Sequence, residues 1–342
     1  MDIRTDVSLK PYLTMQLGGN AHTMVDLYTD DDVVAVCTMA RQQQAELFVL
    51  GGGSNTLAQD SGFAGIVARN RIPGFSIITE DDESTTITVG AGEVLDTIVA
   101  KTVASGLSGI EALSAIPGTA GAAPVQNVGA YGQEIADTLV SLEAYDRQQK
   151  RFVSLSATDC EFSYRHSIFR GREMGRYIIT SITLRLRKGL PRPPFYQAVQ
   201  DYLTTHAIAE PTPQDIRRAV MTIRAGKLPD PAKLPNTGSF FKNAIISSEE
   251  FSQLQQHYPT VPHYALPDGR VKVPSGWLIE QAGLRGSVLH GMKVHDKNAV
   301  VLINQSATSY RDLAAAREEI IHTVEEKFGI TIVQEPLEIP AP

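Results

Sequence analysis

Ala115-Ile116-Pro117-Gly118-Thr119-Ala120-Gly121-Ala122-Ala123-Pro124-Val125-Gln126-Asn127-Val128-Gly129-Ala130-Tyr131-Gly132 is the stretch on which the fold turns. Small residues dominate it and charge is almost absent. Backbone so bare can lie flat against a large planar ligand, with Gln126 and Asn127 offering polar contacts to a ring edge. The same composition would also serve a tight, buried crossing from helix to strand. The length of the run favours a cofactor, and so does a second glycine cluster upstream.

That cluster is Gly51-Gly52-Gly53-Ser54-Asn55-Thr56-Leu57, directly after an apolar strand. Successive backbone N–H groups there can curl into an anion nest where a side chain would block a pyrophosphate. Read alone, it is equally a flexible Gly/Ser turn. Neither G-x-G-x-x-G nor the Walker A pattern is present, since Thr56 stands where the third glycine belongs and no Gly-Lys-Ser/Thr follows. A dinucleotide-binding Rossmann domain is disfavoured.

Working outward, Ala21 to Tyr28, a helix opened by Asp30-Asp31-Asp32, and Glu46 to Leu50 read as a small strand-helix-strand unit. Val33, Val36, Cys37 and Ala40 share one face of that helix. Short strands at Gly65 to Arg69, Ser76 to Thr79 and Thr85 to Val89 precede a helix from Glu93 to Ser105, closed by Gly106. Tyr177 to Arg187 alternates as a half-buried strand does, with Ile178, Thr180, Ile182, Leu184 and Leu186 on one side. Prolines at 191, 193 and 194, and again at 229, 231 and 235, mark boundaries around a helix at Gln214 to Arg224. Beyond Gly238 the pattern predicts helices at Ser248 to His257 and Ser275 to Ala282 and a strand at Ala299 to Asn304. A long helix follows Ser309, with Asp312 at the third position of a capping box, and stops at Gly329. Ile330 to Val333 is expected as a last strand that carries Glu335 out of its end.

The 342 residues suffice for two or three domains, and a net charge of −7 excludes a nucleic-acid surface, which needs clustered Lys and Arg. Two cysteines, Cys37 and Cys160, are too few for a disulfide scaffold or a Cys-ligated zinc site and fit a reducing cytosol. The histidines form no H-E-x-x-H or comparable spacing, so no metal is expected. No apolar leader or run of membrane-spanning length is present, which predicts a cytoplasmic protein.

For chemistry, Tyr164-Arg165-His166-Ser167 offers an Arg suited to clamping a carboxylate, or one that merely lies over Tyr164. Gly238-Ser239-Phe240-Phe241-Lys242-Asn243 places a hydroxyl between a glycine and two aromatics. Phe241 occupies the last glycine position of G-x-S-x-G, so a hydrolase is the weaker reading.

Together these segments resemble the UDP-N-acetylenolpyruvoylglucosamine reductase (MurB) family. The likeness extends through Asn70-Arg71-Ile72, Gly90-Ala91-Gly92-Glu93, Lys227-Leu228-Pro229-Asp230-Pro231, Gly276-Trp277-Leu278-Ile279 and Val301-Leu302-Ile303-Asn304, nearly the whole chain. The resemblance implies an α+β architecture: a two-subdomain FAD-binding fold of the vanillyl-alcohol-oxidase/PCMH type plus a C-terminal α+β substrate domain. The expected division is 1–70, 71–228 with a substrate loop inserted near 190–210, 229–329, and a returning strand at 330–342. Implied with it are non-covalent FAD, NADPH as co-substrate, a UDP-sugar enolpyruvate as substrate, and a monomeric cytoplasmic flavoprotein serving peptidoglycan synthesis, cell shape and division.

By the same resemblance, FAD falls to Gly51, Gly52, Gly53, Ser54, Asn55, Thr56, Leu57, Ile116, Pro117, Gly118, Gly121, Ala122, Gln126, Asn127, Gly129, Tyr131 and Gly132. Hydride addition to an enol ether leaves negative charge beside a carboxylate, so a cation and a proton donor are needed. The implied catalytic set is Ser239 as proton donor, Arg165 on the carboxylate, and Glu335 assisting. A hydroxyl can serve as acid because the developing carbanion is a much stronger base than water. Glu335 aligns without a gap to the family's Glu-Pro form, whereas Glu338 would need one extra residue. Tyr196, Lys227, Asn243, Tyr264, Arg285 and Asn298 are implied contacts to the diphosphate or uracil, with Arg285 and Asn298 replacing the Lys and Gln of some relatives. Two rivals remain at this level: an oxidase of the same fold, and a colourless nucleotide-binding protein.

Overall fold

The computed structural model describes residues 1–340. The chain divides into two compact units: Met1–Val7, Ala21–Gly53 and Phe63–Gly226 form the first, and Ser8–Asn20, Ser54–Gly62 and everything from Lys227 form the second.

In the first unit, four strands run in the order Asp2–Ser8, Asn20–Leu27, Phe63–Asn70, Leu47–Leu50, and the last three are mutually parallel. The Asp30–Gln43 helix covers this sheet. Thr29 and Asp32 close both halves of a capping box at its start, and three acidic residues meet the positive end of its dipole. Val33, Val36, Cys37 and Ala40 pack on Val25, Leu27, Ile66 and Ala68, the face expected from spacing.

The unit's second sheet is antiparallel, in the order Arg151–Ser156, Leu139–Asp146, Tyr177–Lys188, Ser84–Gly90, Phe75–Glu80. Tyr177–Lys188 is its centre, and Ile178, Thr180, Ile182, Leu184 and Leu186 are all buried as the alternation predicts. The Leu95–Ala104 helix and the small-residue run from 115 to 128 pack over this core. Within that run lie two short turns of tight helix, Ala120–Ala122 and Pro124–Gln126.

The segment near 190–210, expected as an inserted loop, contains a helix at Gln197–Thr205. With only Val199 and Leu203 buried and no side-chain cap at Tyr196, its sequence signal is weak. It packs with Pro213–Lys227 around Ala112, Ile216, Ala219 and Val220.

In the second unit, Asn236–Ser239, Val301–Asn304, Met292–Val294 and Val288–Leu289 form one sheet, and Ala244–Ile246, Val271–Val273 and Tyr264–Ala265 another. Helices Ser248–His257, Ser275–Gln281 and Tyr310–Phe328 enclose the core, joined there by Met15, Leu17 and Leu57. Ser309 and Asp312 form the expected capping box, and Gly329 ends the long helix.

The expected strand at Ile330–Val333 is absent. Only Gln334 makes an isolated bridge, to Phe241, and the final strand is Leu337–Ile339, parallel to Thr56–Ala58. Pro336 interrupts the pairing between those two stretches, because it has no N–H to give to a ladder. Among the described residues no helix is long and apolar enough to cross a membrane.

One carboxylate ties three pieces of the first unit together. Asp96 accepts from Arg217 Nη1 at 2.6 Å and Nη2 at 3.0 Å, and from the Ala115 amide at 2.6 Å. Burial alone would raise its pKa, but the Arg217 hydrogen bonds and the Ala115 N–H outweigh it, leaving Asp96 below the ordinary carboxylate value. A depressed folded pKa contributes stability that is complete above the unfolded value of about 3.9 and is lost as pH falls through the folded one. Asp96→Asn should therefore lower urea resistance at pH 7, with the gap to the wild type closing as the pH is taken below about 4. A gap constant with pH would contradict this.

Candidate active site

The small-residue segment begins under strain. Ala115 has φ 57°, a left-handed conformation that alanine rarely adopts, and the Asp96 bond to its amide holds it there. The chain then runs against the end of the second sheet: Gly121 N donates to Ala91 O at 2.9 Å and Ala120 N to Glu93 O at 2.8 Å. A Cβ on Gly121 would lie 2.4 Å from that of Ala91, so only glycine permits this approach.

The Gly51 turn closes on the same segment. A Cβ on Gly51 would stand 2.8 Å from Thr119 Oγ1, and one on Gly52 would stand 2.8 Å from the Gly118 Cα. At this junction Thr119 Oγ1 is buried without a hydrogen-bond partner. A buried hydroxyl left unpaired between two glycine-lined turns is costly unless something completes it. A phosphate oxygen would do so. These residues fit the pyrophosphate end of a flavin dinucleotide. Ile116, Pro117, Gly118 and Ala122 all keep exposed surface.

The division between the two units falls inside the glycine cluster, after Gly53. Ser54 and Asn55 begin the second unit, Thr56 enters a short strand, and the Leu57 side chain is buried in that unit's core. Leu57 therefore offers a ligand only its backbone.

Asn127 also departs from expectation. Its amide is spent inside the protein, Nδ2 donating to Glu134 Oε2 at 2.6 Å and to Ser163 O at 3.3 Å, while Oδ1 accepts from Ala136 N at 3.2 Å. Its side chain shapes the segment, leaving its backbone to border a ligand. Gln126 Oε1 accepts from Arg170 Nη1 at 2.5 Å.

Arg165 occupies the tip of a tight turn closed by Ser163 and His166, with φ 54°. Its Nη2 donates to Gly129 O at 2.8 Å, and its guanidinium lies 5.3 Å from the Tyr164 ring. The structure thus brings Arg165 to the Gly129–Gly132 end of the small-residue run. Tyr131 meets Tyr196 edge to face at 5.6 Å. Burial raises the Tyr131 pKa, and Arg224 draws it partly back. Arg224 is itself held below the ordinary arginine value by desolvation, with Tyr131 and Asp96 opposing. Sequence reading passed over Arg224; its signal is the three-residue step to Lys227, which places both on one face of the Pro213–Lys227 helix.

In the second unit, Ser239 ends a strand interrupted by a bulge. Asn236 pairs with Ile303 but Ser239 with Val301, so one extra residue is inserted, and Gly238 takes φ 71° to absorb it. Asn236 holds the turn: Oδ1 accepts from Gly238 N at 2.8 Å and Nδ2 donates to Leu234 O at 2.7 Å. Ser239 is left exposed while Phe240 is fully buried.

The C-terminal stretch runs beside this strand. Glu335 N donates to Phe240 O at 2.8 Å and Lys242 N to Val333 O at 2.9 Å, which sets the buried Glu335 one residue from Ser239 across the pair. Glu338 has a different position, on Leu337–Ile339, where its carboxylate pairs with Arg317 Nη1. The same Nη1 donates to Gln334 Oε1 at 2.8 Å, and Gln334 Nε2 donates to Glu338 Oε1 at 3.0 Å and Pro336 O at 2.9 Å. Tyr310 adjoins this network, its pKa pushed up to about 12 by burial and by Glu338. Arg317 therefore grips the residues on both sides of Glu335.

Of the remaining candidates, Tyr264 and Lys227 are exposed, and Asn243 Oδ1 accepts from Ser275 N at 3.3 Å. Arg285 is drawn to Glu280 at 2.6 Å and to the Asp296 carbonyl at 2.5 Å. Asn298 Oδ1 lies 3.6 Å from where a Gly276 Cβ would be. Lys272, not singled out from sequence, sits opposite Tyr264 in the sheet with its ammonium 5.1 Å from that ring.

Two family models match the chain: an FAD binding domain over residues 23–152, and the UDP-N-acetylenolpyruvoylglucosamine reductase C-terminal domain over residues 230–339. A reductase of that name from Dechloromonas aromatica is 39% identical over 98% of this chain and 99% of its own. One from Ralstonia nicotianae is 43% identical over 90% and 91%. The crystal structure of UDP-N-acetylenolpyruvylglucosamine reductase from Thermus caldophilus superposes with TM-score 0.67 at 24% identity, over 99% of this chain and all of that one. 6-Hydroxy-D-nicotine oxidase from Arthrobacter nicotinovorans shares the fold at TM-score 0.52 and 12% identity.

The Arg317 grip makes a stability prediction. Removing one member of a largely buried ion pair strands the other, so Arg317→Ala should cost the second unit about 3–5 kcal/mol in urea unfolding. A loss below about 1 kcal/mol would mean the network contributes no more than a surface pair.

Proposed function

The chain belongs to the UDP-N-acetylenolpyruvoylglucosamine reductase family, and from that premise we propose that it reduces UDP-N-acetylglucosamine enolpyruvate to UDP-N-acetylmuramate for peptidoglycan precursor synthesis. It is an FAD-dependent oxidoreductase with NADPH as reductant. Bound FAD would supply the hydride-transfer chemistry that links NADPH to C3 of the enolpyruvyl group.

The turns at 51–53 and 116–122 would hold the pyrophosphate, with Thr119 Oγ1 donating to it, and 126–132 would border the ring. Arg165 takes the substrate carboxylate. Its anchorage to the Gly129 carbonyl supports this, because a guanidinium fixed in advance loses little freedom on binding. The charge that gathers on C2 is stabilised through that carboxylate. Ser239 gives its proton to C2, and the bulge at Gly238 leaves the hydroxyl outward on a rigid strand. Glu335 assists at the carboxylate end. The pairing of Glu335 N with Phe240 O is the observation that carries its choice over Glu338, whose carboxylate is committed to Arg317.

By the family resemblance, Tyr196, Lys227, Asn243, Tyr264, Arg285 and Asn298 contact the uridine diphosphate. A diphosphate needs several cations and donors. The division into subdomains at 70/71 and a substrate domain from 229 belongs to the same proposal. So does action as a monomer in the cytoplasm, which the family resemblance implies.

The test is Ser239→Ala. Reduction of the flavin by NADPH should persist, while its reoxidation by the enolpyruvyl substrate should slow by roughly 10²- to 10⁴-fold, the usual contribution of a positioned acid. Unchanged reoxidation would remove Ser239 from the mechanism.

A further inference from the structure

Away from the flavin segments, the first unit contains a cavity of about 340 Å³ lined by Cys37, Arg41, Arg147, Gln148, Arg172 and Arg176 among others. Four guanidiniums converge there in a chain whose net charge is −7. Two of the four are neutralised. Arg176 pairs with Asp146 at 2.7 Å and Glu173 at 3.1 Å, and Arg172 with Glu161 at 2.7 Å.

Arg41 and Arg147 have no such partner. Among the described residues neither forms an ion pair: Arg41 Nη2 donates to Thr38 Oγ1 at 3.0 Å, and Arg147 Nη1 to the Gly175 carbonyl at 2.5 Å. Burial of the Cys37 thiol, which is 2% exposed, holds its pKa above the ordinary thiol value, and Arg147, which is also hydrogen-bonded to it, and Arg41 draw it partly back. Cys37 and Arg41 are one helical turn apart on Asp30–Gln43, so they share a face. Arg147 is fixed from two sides, since its own amide donates to Arg176 O at 3.0 Å.

Glu173 also lines the cavity, but its carboxylate is taken up by Arg176 and Arg172, so the charges of Arg41 and Arg147 are left uncompensated, and the fold holds one of them in place. Each guanidinium has five N–H donors, and the contacts above occupy only a minority of them. We propose that this cavity is a second anion site, for a small phosphorylated molecule whose phosphoryl group bridges Arg41 and Arg147. The planar forks suit a tetrahedral oxyanion bidentately. The cavity admits a phosphoryl group with a small organic remainder. The acidity of the whole chain disfavours a nucleic acid or other large polyanion.

The test uses the purified holoenzyme with UDP saturating the diphosphate subsite, so that any further binding is separate from it. Inorganic phosphate and pyrophosphate are titrated calorimetrically at fixed ionic strength. The site predicts one additional bound anion per chain, weakened at least about tenfold by Arg41→Gln or Arg147→Gln, with kcat and KM unchanged in both variants. Cys37 gives a local readout. An anion that cancels the two charges withdraws their support from the thiolate, so iodoacetamide labelling of Cys37 should slow as phosphate is added, and this response should be lost in either variant. Cys160 is fully buried and its thiol is pushed up to about 12, with no arginine drawing it back, so it labels more slowly than Cys37. Equal phosphate binding by the wild type and both variants, or no binding beyond that of a chloride control, would overturn the proposal.

Discussion

Close approach of bare backbone is the constraint on which the first unit depends. Gly121 lies on Ala91, and Gly51 and Gly52 lie on the 118–122 turn, at separations that leave no room for a Cβ. Everything the segment offers a ligand follows from that packing: the unpaired Thr119 hydroxyl, the exposed faces of Ile116 and Pro117, and the Gly129 carbonyl that anchors Arg165. The cost is carried by buried polar bonds at the ends. Asp96 holds the left-handed Ala115, and Asn127 spends its whole amide on Glu134, Ser163 and Ala136.

The second unit solves a different problem, which is to hold an exposed hydroxyl and a buried carboxylate on neighbouring chain segments. A bulge at Gly238 turns Ser239 out, and backbone pairing from 333 to 335 holds the C-terminal stretch against residues 240–242. Two glutamates three residues apart end up in unlike surroundings. Glu338 is locked to Arg317 within a network that includes Gln334 and Tyr310, and that lock fixes the turn carrying Glu335. The Glu338 carboxylate serves here as structure.

Much of this was legible in the sequence because it rests on local rules. The alternation of Tyr177–Lys188, the apolar face of Asp30–Gln43 and the Ser309 capping box each appear as expected. What the sequence does not display is pairing over long separations. Segments 8–20 and 54–62 cluster with the C-terminal unit, and the final strand forms at Leu337–Ile339 rather than at 330–333 because its partner is Thr56–Ala58. Ile330 and Ile332 are buried, but as core side chains without a ladder. Nor can spacing reveal that Glu134 and Ser163 fold back onto the Asn127 amide. Arg224 and Lys272 were passed over since a lone basic residue on a helix or strand looks like solvated surface until its aromatic neighbour is in view.

The central claim is that these bare turns hold a flavin that carries electrons from NADPH to an enolpyruvyl nucleotide. Its most direct measurement is the absorbance of the purified protein through one anaerobic cycle. The account predicts a yellow protein with one flavin per chain, bleached by NADPH and restored by one equivalent of UDP-N-acetylglucosamine enolpyruvate. A colourless protein that takes up no FAD when it is supplied, or a reduced flavin that only oxygen can reoxidise, would contradict it.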